Sequence, residues 1–291
     1  MNNLNKILRG ILSKIRHNTF FLNSLIYFLY WIGFVNYLLC KLFKVPYIGF
    51  YLFSNQDNFR GRVEVLKKIL NFKCKTSTKL NILEIGTYCG QNILEISKIL
   101  KKNNLYFSIT SVDPYNLKKL KVSKRERERG GGLREKLFLS GLQRGKCENL
   151  FNMNIKYLKI EEYIQKFKLF SYQFYKRNKK KFDLIIIDGS HLYKDVKSDI
   201  DNCKNLLNEN GILIIDDYEI SSATKLNLDL NKFKNFDTIP GFKDYYFHPG
   251  VTLAVKNSFK IKPLSLSGVA CIFKKKKSYF DFFKTHKKIL N

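Results

Sequence analysis

The sequence predicts an α/β protein built on a doubly wound, mostly parallel sheet, with a helical, apolar appendage at the N-terminus. Three observations support this fold class. Short apolar runs typical of buried strands alternate with helix-like segments from residue 80 onwards. A glycine-containing turn follows the first of these strands. Acidic residues follow three of the later strands, at the sheet edge where ligands bind in such proteins.

The composition allows one sizeable core and favours anionic partners. The chain has 291 residues, 45% of them hydrophobic, which suffices for one catalytic-size domain with an appendage. Its formal charge is 53 − 24 = +29, but the lysines are spread along the whole chain, as in a general compositional bias. The six cysteines show no C-x-x-C pair or metal-type spacing, so neither a zinc site nor a disulfide framework is predicted, and a reducing cytosol fits.

Residues 1–48 are predicted to form the apolar helical segment, and residues 49–291 the main domain. The stretch 19–40 contains no Asp, Glu, Lys or Arg and is long enough to cross a bilayer. A true span would place the rest of the chain outside the cytosol, and a cleaved signal peptide is disfavoured by the length of the stretch. The third interpretation is helices that lie on the membrane or pack on the protein. We favour a cytoplasmic protein peripheral on the acidic inner face of the membrane.

The main domain alternates strands with helices. Strands are expected at residues 80–86, 107–113, 163–170, 182–188, 211–217 and 266–273. Helices are expected at residues 55–70, 91–100, 196–207 and 248–255. Residues 118–147 form a basic insertion whose "KRERERGGG" portion is low in complexity and predicts a mobile loop.

The turn "EIGTYCG", from Glu84 to Gly90, follows the first strand and opens a helix. Glycines there let a ligand approach the backbone, and the helix N-terminus adds polarity. Asp113 closes the next strand, where a carboxylate can hold the hydroxyls of a ribose. The turn lacks the G-x-G-x-x-G of dinucleotide dehydrogenases, so a different nucleotide-like ligand is predicted.

Acids also end two later strands. Asp188 ends one, and Asp216 and Asp217 end the next. Parallel strands bring these carboxylates to one edge, where they repel each other unless a cation or protons intervene, and hard oxygen ligands select Mg²⁺. His191 lies three residues after Asp188, just past the end of that strand, where a neutral imidazole can take a proton from a hydroxyl. Taken singly, each of these residues also fits a structural role such as a cap or packed side chain.

These motifs resemble a known family. "EIGTYCG" resembles motif I of class I S-adenosylmethionine-dependent methyltransferases, catechol O-methyltransferase relatives in particular. The acids with His191 resemble the metal and base pattern of macrocin- and mycinamicin-type sugar O-methyltransferases. The resemblance implies a Rossmann-like fold, S-adenosylmethionine, a divalent metal such as Mg²⁺, and methylation of a hydroxyl on a sugar, glycan or other small acceptor.

The resemblance also implies roles for individual residues. The cofactor-binding residues would be Glu84, Gly86, Thr87, Tyr88, Gly90, Asp113, Ser171 and Asp188. Glu84 and Gly86 would border the methionine part of the cofactor, and Ser171 the adenine. The metal ligands would be Asp188, Asp216 and Asp217, with His191 as the catalytic base.

Other classes stay open at this stage. The charge and the 118–147 insertion motivate an RNA methyltransferase, but the expected N/D-P-P-Y/F pattern is replaced by Asp188-Gly-Ser-His191. A related hydroxylase and a membrane-tethered cofactor-binding protein without turnover are further alternatives. His248 and Tyr218 are candidates for the acceptor site, although packing is the favoured role for both. The sequence leaves open which acceptor is methylated and whether the chain forms a homo-oligomer.

Overall fold

The computed structural model describes residues 19–47, 60–115, 146–240, 246–260 and 263–285. The insertion predicted at 118–147 therefore lies outside the described residues, apart from its last two. Residues 1–18 of the N-terminal segment lie outside them as well.

Nine strands are described. They are β1 Lys79–Ile85, β2 Tyr106–Val112, β3 Ile164–Phe167, β4 Phe182–Ile187, β5 Leu207–Ile215, β6 Ile239–Pro240, β7 Tyr246–Phe247, β8 Leu264–Leu266 and β9 Val269–Phe273. Seven form one sheet in the order β3-β2-β1-β4-β5-β9-β8, and β6 pairs with β7 separately. Neighbours among β1 to β5 are parallel, whereas β9 runs antiparallel to β5 and to β8. The mostly parallel sheet predicted from the sequence is confirmed.

Helices connect and cover these strands. They are α1 Thr19–Phe43, α2 Arg60–Cys74, α3 Gln91–Lys102, α4 Lys146–Tyr157, α5 Ser171–Arg177, α6 Tyr193–Leu206, α7 Ile220–Lys225, α8 Leu230–Phe233, α9 Pro249–Ser258 and α10 Lys276–Thr285. A short 3₁₀ turn covers Glu161–Tyr163. From β1 the chain proceeds through β2 to β3 on one side of the sheet and then returns to place β4 on the other side of β1. Ligands of doubly wound sheets bind outside the carboxyl ends of the strands at such a switch point.

Both faces of the sheet are buried, which explains why its strands are continuous apolar runs. Alternate residues of each central strand enter different clusters: Ile186 packs on the side of α2 and α3, and Ile187 on the side of α6 and α9. Each fully buried isoleucine of this kind contributes about 1.5–3 kcal/mol through removal of apolar surface from water. The core therefore fixes the strands whose ends carry the acids.

Two expected elements differ in extent. The strand predicted at 163–170 ends at Phe167, and Ser171 begins α5. The single strand predicted at 266–273 is a hairpin, β8 and β9, with a turn at Ser267 and Gly268. Both turn residues have positive φ, 49° and 80°, which is typical of a two-residue hairpin turn.

The apolar stretch near the N-terminus forms one continuous helix, α1, of 25 residues. Within the described residues, no helix combines the length and apolarity that crossing a bilayer requires. The end of α1 is fastened to the domain, because the Tyr157 hydroxyl donates to the carbonyl of Lys41 at 3.3 Å. Just after it, the backbone N–H of buried Tyr47 donates to Asn154 Oδ1 at 2.7 Å.

Candidate active site

The ends of β1 and β4 nearly touch at the switch point. Gly86 has φ +85°, and a Cβ there would lie 2.1 Å from the carbonyl oxygen of Asp188. The backbone N–H of Asp188 donates to the carbonyl of Ile85 at 2.8 Å, so the two turns are held together by a hydrogen bond. Only glycine fits this approach, and it brings the side chains of Glu84 and Asp188 into one site.

Glu84 is buried, and only one of its two carboxylate oxygens accepts a hydrogen bond. Asn92 Nδ2 donates to Glu84 Oε1 at 2.9 Å and to Asp188 Oδ2 at 3.3 Å. Glu84 Oε2 is buried and has no hydrogen-bond partner among the described residues. Burial raises the pKa of Glu84 well above its usual range. A buried acid with an unpartnered oxygen is suited to a ligand that brings a positive charge or a hydrogen-bond donor.

The rest of the glycine turn is tied to the end of β2. Asp113 Oδ2 accepts from the backbone N–H of Tyr88 at 2.8 Å, and its Oδ1 accepts from that of Tyr115 at 2.7 Å. The buried Ser111 hydroxyl donates to Thr87 Oγ1 at 2.8 Å. Asp113 also accepts a hydrogen bond from the Thr87 backbone, so it shapes the turn. A carboxylate can accept about four hydrogen bonds, which leaves Asp113 capacity for a further donor.

The three strand-end carboxylates meet as predicted. Asp188, Asp216 and Asp217 each offer an oxygen, and these atoms lie within 4.8 Å of one another. Burial raises the pKa of Asp188 to about 6, although the positive charge of Arg62 acts in the opposite direction. Arg62, from α2, pairs with Asp216 Oδ2, and its Nη2 lies 3.9 Å from Asp217 Oδ1. The donor set suits a hard divalent cation.

His191 lies beside this cluster, held between two acids. Its Nε2 is 3.1 Å from Asp217 Oδ2, and its Nδ1 is 2.8 Å from Asp237 Oδ1. Burial alone would lower the pKa of His191, but Asp237 and Asp217 hold that pKa well above its ordinary value. The ring of His248 lies 4.0 Å from that of His191, centroid to centroid. Both ring nitrogens of His191 thus face carboxylate oxygens, which favours the imidazolium form, whereas the base role predicted from the sequence requires a neutral imidazole.

Comparison with known proteins agrees with this geometry. Residues 83–218, from the end of β1 to just past β5, match the family model described as a methyltransferase domain. Residues 83–218 therefore carry the sequence pattern of a methyltransferase domain. The matched segment contains the glycine turn and all three strand-end acids.

Solved structures of similar shape include methyltransferases. The O-methyltransferase NovP is 12% identical with a TM-score of 0.49, over 74% of this chain and 80% of that chain. An O-methyltransferase from Bacillus cereus is 11% identical with a TM-score of 0.41, over 87% and 84%. TomG from Streptomyces achromogenes is 8% identical with a TM-score of 0.42, over 83% and 96%. A comparison with curated proteins gives no match.

Most of the residues expected at the cofactor site surround one turn of the methyltransferase domain. They are Glu84, Gly86, Thr87, Tyr88, Gly90, Asp113 and Asp188, and their individual roles in binding stay predictions. Ser171 is engaged elsewhere, because its hydroxyl hydrogen-bonds with Asp199 on α6. Asp199 is buried although it follows the polar spacing of that helix, and the Tyr175 hydroxyl also donates to it at 3.1 Å.

Three residues of the site were missed from the sequence: Arg62, Asn92 and Asp237. Arg62 reads as an ordinary polar position of an amphipathic helix, and Asp237 as a loop acid. Neither carries a local signal, because both reach the site only through tertiary packing. Asn92 had a usable signal, since it lies in the first turn of α3 directly after the glycine turn.

Proposed function

We propose that this methyltransferase is an O-methyltransferase that acts on a hydroxyl of a small hydroxylated acceptor and uses a divalent metal. The observation that carries the proposal is the adjacency of two sites at the switch point. Glu84, with its unpartnered oxygen, and Asp188, a member of the three-carboxylate cluster, are bridged by the single side chain of Asn92. A methyl donor at the first site would therefore lie beside an acceptor held at the second.

The cofactor site fits S-adenosylmethionine. When bound, this cofactor supplies a methyl group activated by a sulfonium. Its cationic methionine part suits the buried carboxylate of Glu84, and its ribose hydroxyls suit the remaining lone pairs of Asp113. The chain's contribution is to bind and orient, so that the acceptor oxygen meets the methyl carbon at attack distance.

Asp188, Asp216 and Asp217 would hold the metal, which suits Mg²⁺ because all three donors are carboxylates. A metal there lowers the pKa of a bound hydroxyl and so improves it as a nucleophile. Arg62 would have to turn away from Asp216 to free that oxygen. An acceptor with two neighbouring hydroxyls can chelate such an ion, which favours a sugar, glycan or similar compound.

The base role of His191 stays a prediction. Its geometry is suitable, because Asp237 fixes Nδ1 and thereby directs Nε2 towards Asp217 and the proposed metal. The role requires Nε2 to give up the proton that it shares with Asp217. A metal that engages Asp217 would weaken that hydrogen bond.

The reaction is tested with methyl-labelled S-adenosylmethionine and a panel of nucleotide sugars, lipid-linked glycans and catechols. We expect S-adenosylhomocysteine and an acceptor whose mass grows by one CH₂. Activity should disappear with chelator and return with Mg²⁺. The variants Asp188→Ala and Asp217→Ala should lose activity while they still bind the cofactor in a calorimeter. Turnover that survives both substitutions would refute the metal part.

We also propose that α1 rests on an acidic membrane surface. Eight large apolar residues of α1 are at least 39% exposed: Phe28, Trp31, Ile32, Val35, Leu38, Leu39, Leu42 and Phe43. Exposed Lys41 and Lys44 flank the end of this surface, and the whole chain carries +29. Apolar contact with lipid combined with attraction to anionic headgroups is the usual basis of peripheral binding.

Trp31 is the single tryptophan of the chain, so its fluorescence reports this contact directly. Vesicles that contain phosphatidylserine should shift its emission to shorter wavelength and sediment the protein. Vesicles of phosphatidylcholine alone should bind more weakly, and Leu42→Glu should weaken binding to both. An unchanged spectrum with the phosphatidylserine vesicles would contradict the proposal.

A further inference from the structure

His248 presents a lone pair towards the acid cluster. Its Nδ1 lies 2.8 Å from the backbone carbonyl oxygen of Asp237. A carbonyl oxygen only accepts, so Nδ1 is the nitrogen that carries the hydrogen. In the neutral ring, Nε2 is then a bare acceptor, and it lies 3.7 Å from Asp217 Oδ2.

A second imidazole converges on the same oxygen. His191 Nε2 is 3.1 Å from Asp217 Oδ2, and the ligand atoms of all three residues lie within 4.8 Å of one another. Two imidazole nitrogens and a carboxylate oxygen that face one point need a proton or a cation between them. The two ring planes are inclined by 49° and their centroids lie 4.0 Å apart, so the two imidazoles lie next to each other beside Asp217.

We propose that His191, His248 and Asp217 bind a divalent transition-metal ion. Metal–ligand distances of about 2.1 Å place neighbouring ligand atoms roughly 3.0–3.4 Å apart. Asp217 Oδ2 lies 3.1 Å from His191 Nε2 and 3.7 Å from His248 Nε2, so a small inward movement of His248 would complete the site. Two imidazoles and one carboxylate favour ions such as Zn²⁺, Fe²⁺ or Co²⁺ over Mg²⁺. Three protein ligands leave positions for an acceptor hydroxyl.

The surroundings hold both imidazoles in the orientation that a metal requires. Metal-binding histidines typically donate their other ring N–H to a carboxylate or a backbone carbonyl. Asp237 supplies both groups, its carboxylate to His191 and its carbonyl to His248. Gly250, two residues after His248, packs against the backbone of His191, since a Cβ there would lie 2.4 Å from the carbonyl oxygen of His191.

This site is distinct from the three-carboxylate cluster but shares one residue with it. Asp217 Oδ1 faces Arg62, whereas Asp217 Oδ2 faces the imidazoles. The proposal of a metal ion at this position rests only on the geometry of these three residues. A role for that ion in holding the acceptor rests in addition on the proposed function. When this site is occupied His191 is a metal ligand, so the base role described under the proposed function applies only to the form in which the three carboxylates hold the metal.

The test is a titration of metal-free protein with Co²⁺, followed by visible absorption. Co²⁺ held by protein ligands in a four- or five-coordinate site absorbs visible light much more strongly than aqueous Co²⁺, so the readout does not depend on activity. We expect about one ion per chain, bound at least tenfold more weakly by His248→Gln and by Asp237→Asn. Asp188→Asn, which leaves all three proposed ligands and Asp237 unchanged, is the matched control and should retain the spectrum and the affinity. Circular dichroism checks that each variant is folded, and His248→Asn replaces His248→Gln if the latter is not.

The proposal is overturned if Co²⁺ gives no such spectrum, or if Asp188→Asn weakens binding and His248→Gln does not. Those outcomes leave the proposed reaction intact, because methyl transfer is measured separately. Conversely, Co²⁺ binding without methyl transfer to any acceptor would leave the site standing and refute the reaction.

Discussion

Substitution of Gly86 by alanine tests whether the β1 and β4 turns meet as closely as the structure shows. The new methyl group would lie 2.1 Å from the Asp188 carbonyl oxygen and 2.4 Å from Gly189 Cα. Both neighbours are backbone, so the clash is relieved only if the two strand ends move apart. That movement would also separate Glu84 from Asp188.

Gly268 is the matched control. It has φ +80°, close to the +85° of Gly86, but a Cβ there meets nothing within 4 Å. An alanine at either position should lower the free energy of unfolding by about 1–2 kcal/mol, because its backbone must adopt the left-handed conformation. The clash at Gly86 adds about 1–3 kcal/mol of overpacking. We therefore expect Gly86→Ala to lower the free energy of unfolding by roughly 2–5 kcal/mol and Gly268→Ala by roughly 1–2 kcal/mol.

Urea denaturation, monitored by circular dichroism, gives both values from one type of experiment. The folded Gly86→Ala fraction should also bind S-adenosylmethionine more weakly, whereas Gly268→Ala should bind it normally. Equal loss of stability in the two variants would refute the close approach at the switch point.

Two further predictions concern buried polar groups. Burial raises the pKa of Asp199 from 3.8 to about 6, so its stabilising contribution is present below pH 3.8 and is lost as pH rises through about 6. Asp199→Asn should therefore gain up to about 3 kcal/mol over wild type between pH 4 and 7 in urea titrations, and a pH-independent difference would contradict this. Asn154 bonds to the backbone of Tyr47 and, at 3.2 Å, to the carbonyl of Cys89. Asn154→Ala should cost about 1–3 kcal/mol for each buried group left unpaired, and a loss under about 0.5 kcal/mol would show that the contact contributes little.

The parts of the site that were predictable from sequence depend on regular patterns. Apolar runs located β1, β2, β4 and β5, and parallel pairing then required Asp188 to meet Asp216 and Asp217. The glycine at position 86 indicated a close approach, although the partner backbone at Asp188 was not readable. These inferences succeed because a parallel sheet fixes where its strand ends lie.

The remaining parts depend on packing between distant segments. Arg62 and Asp237 reach the acids from α2 and from the loop before β6, and no local pattern marks either. Asp199 follows the polar spacing of its helix, yet α5 covers it and supplies hydrogen bonds from Tyr175 and Ser171. Strand and helix periodicities describe one element at a time, so they do not show which element will cover which face.

Calorimetric titration of S-adenosylmethionine into the protein and into Glu84→Gln tests the proposed active site most directly. A charge-assisted hydrogen bond to the buried carboxylate contributes about 1.5–3 kcal/mol, so the substitution should weaken binding at least tenfold. The same variant should be more stable at neutral pH, because it removes a buried, partly unpaired carboxylate. We expect the wild type to bind the cofactor tightly, and Glu84→Gln to bind it more weakly while being more stable to unfolding. Unchanged affinity in Glu84→Gln would contradict the placement of the methyl donor at the switch point.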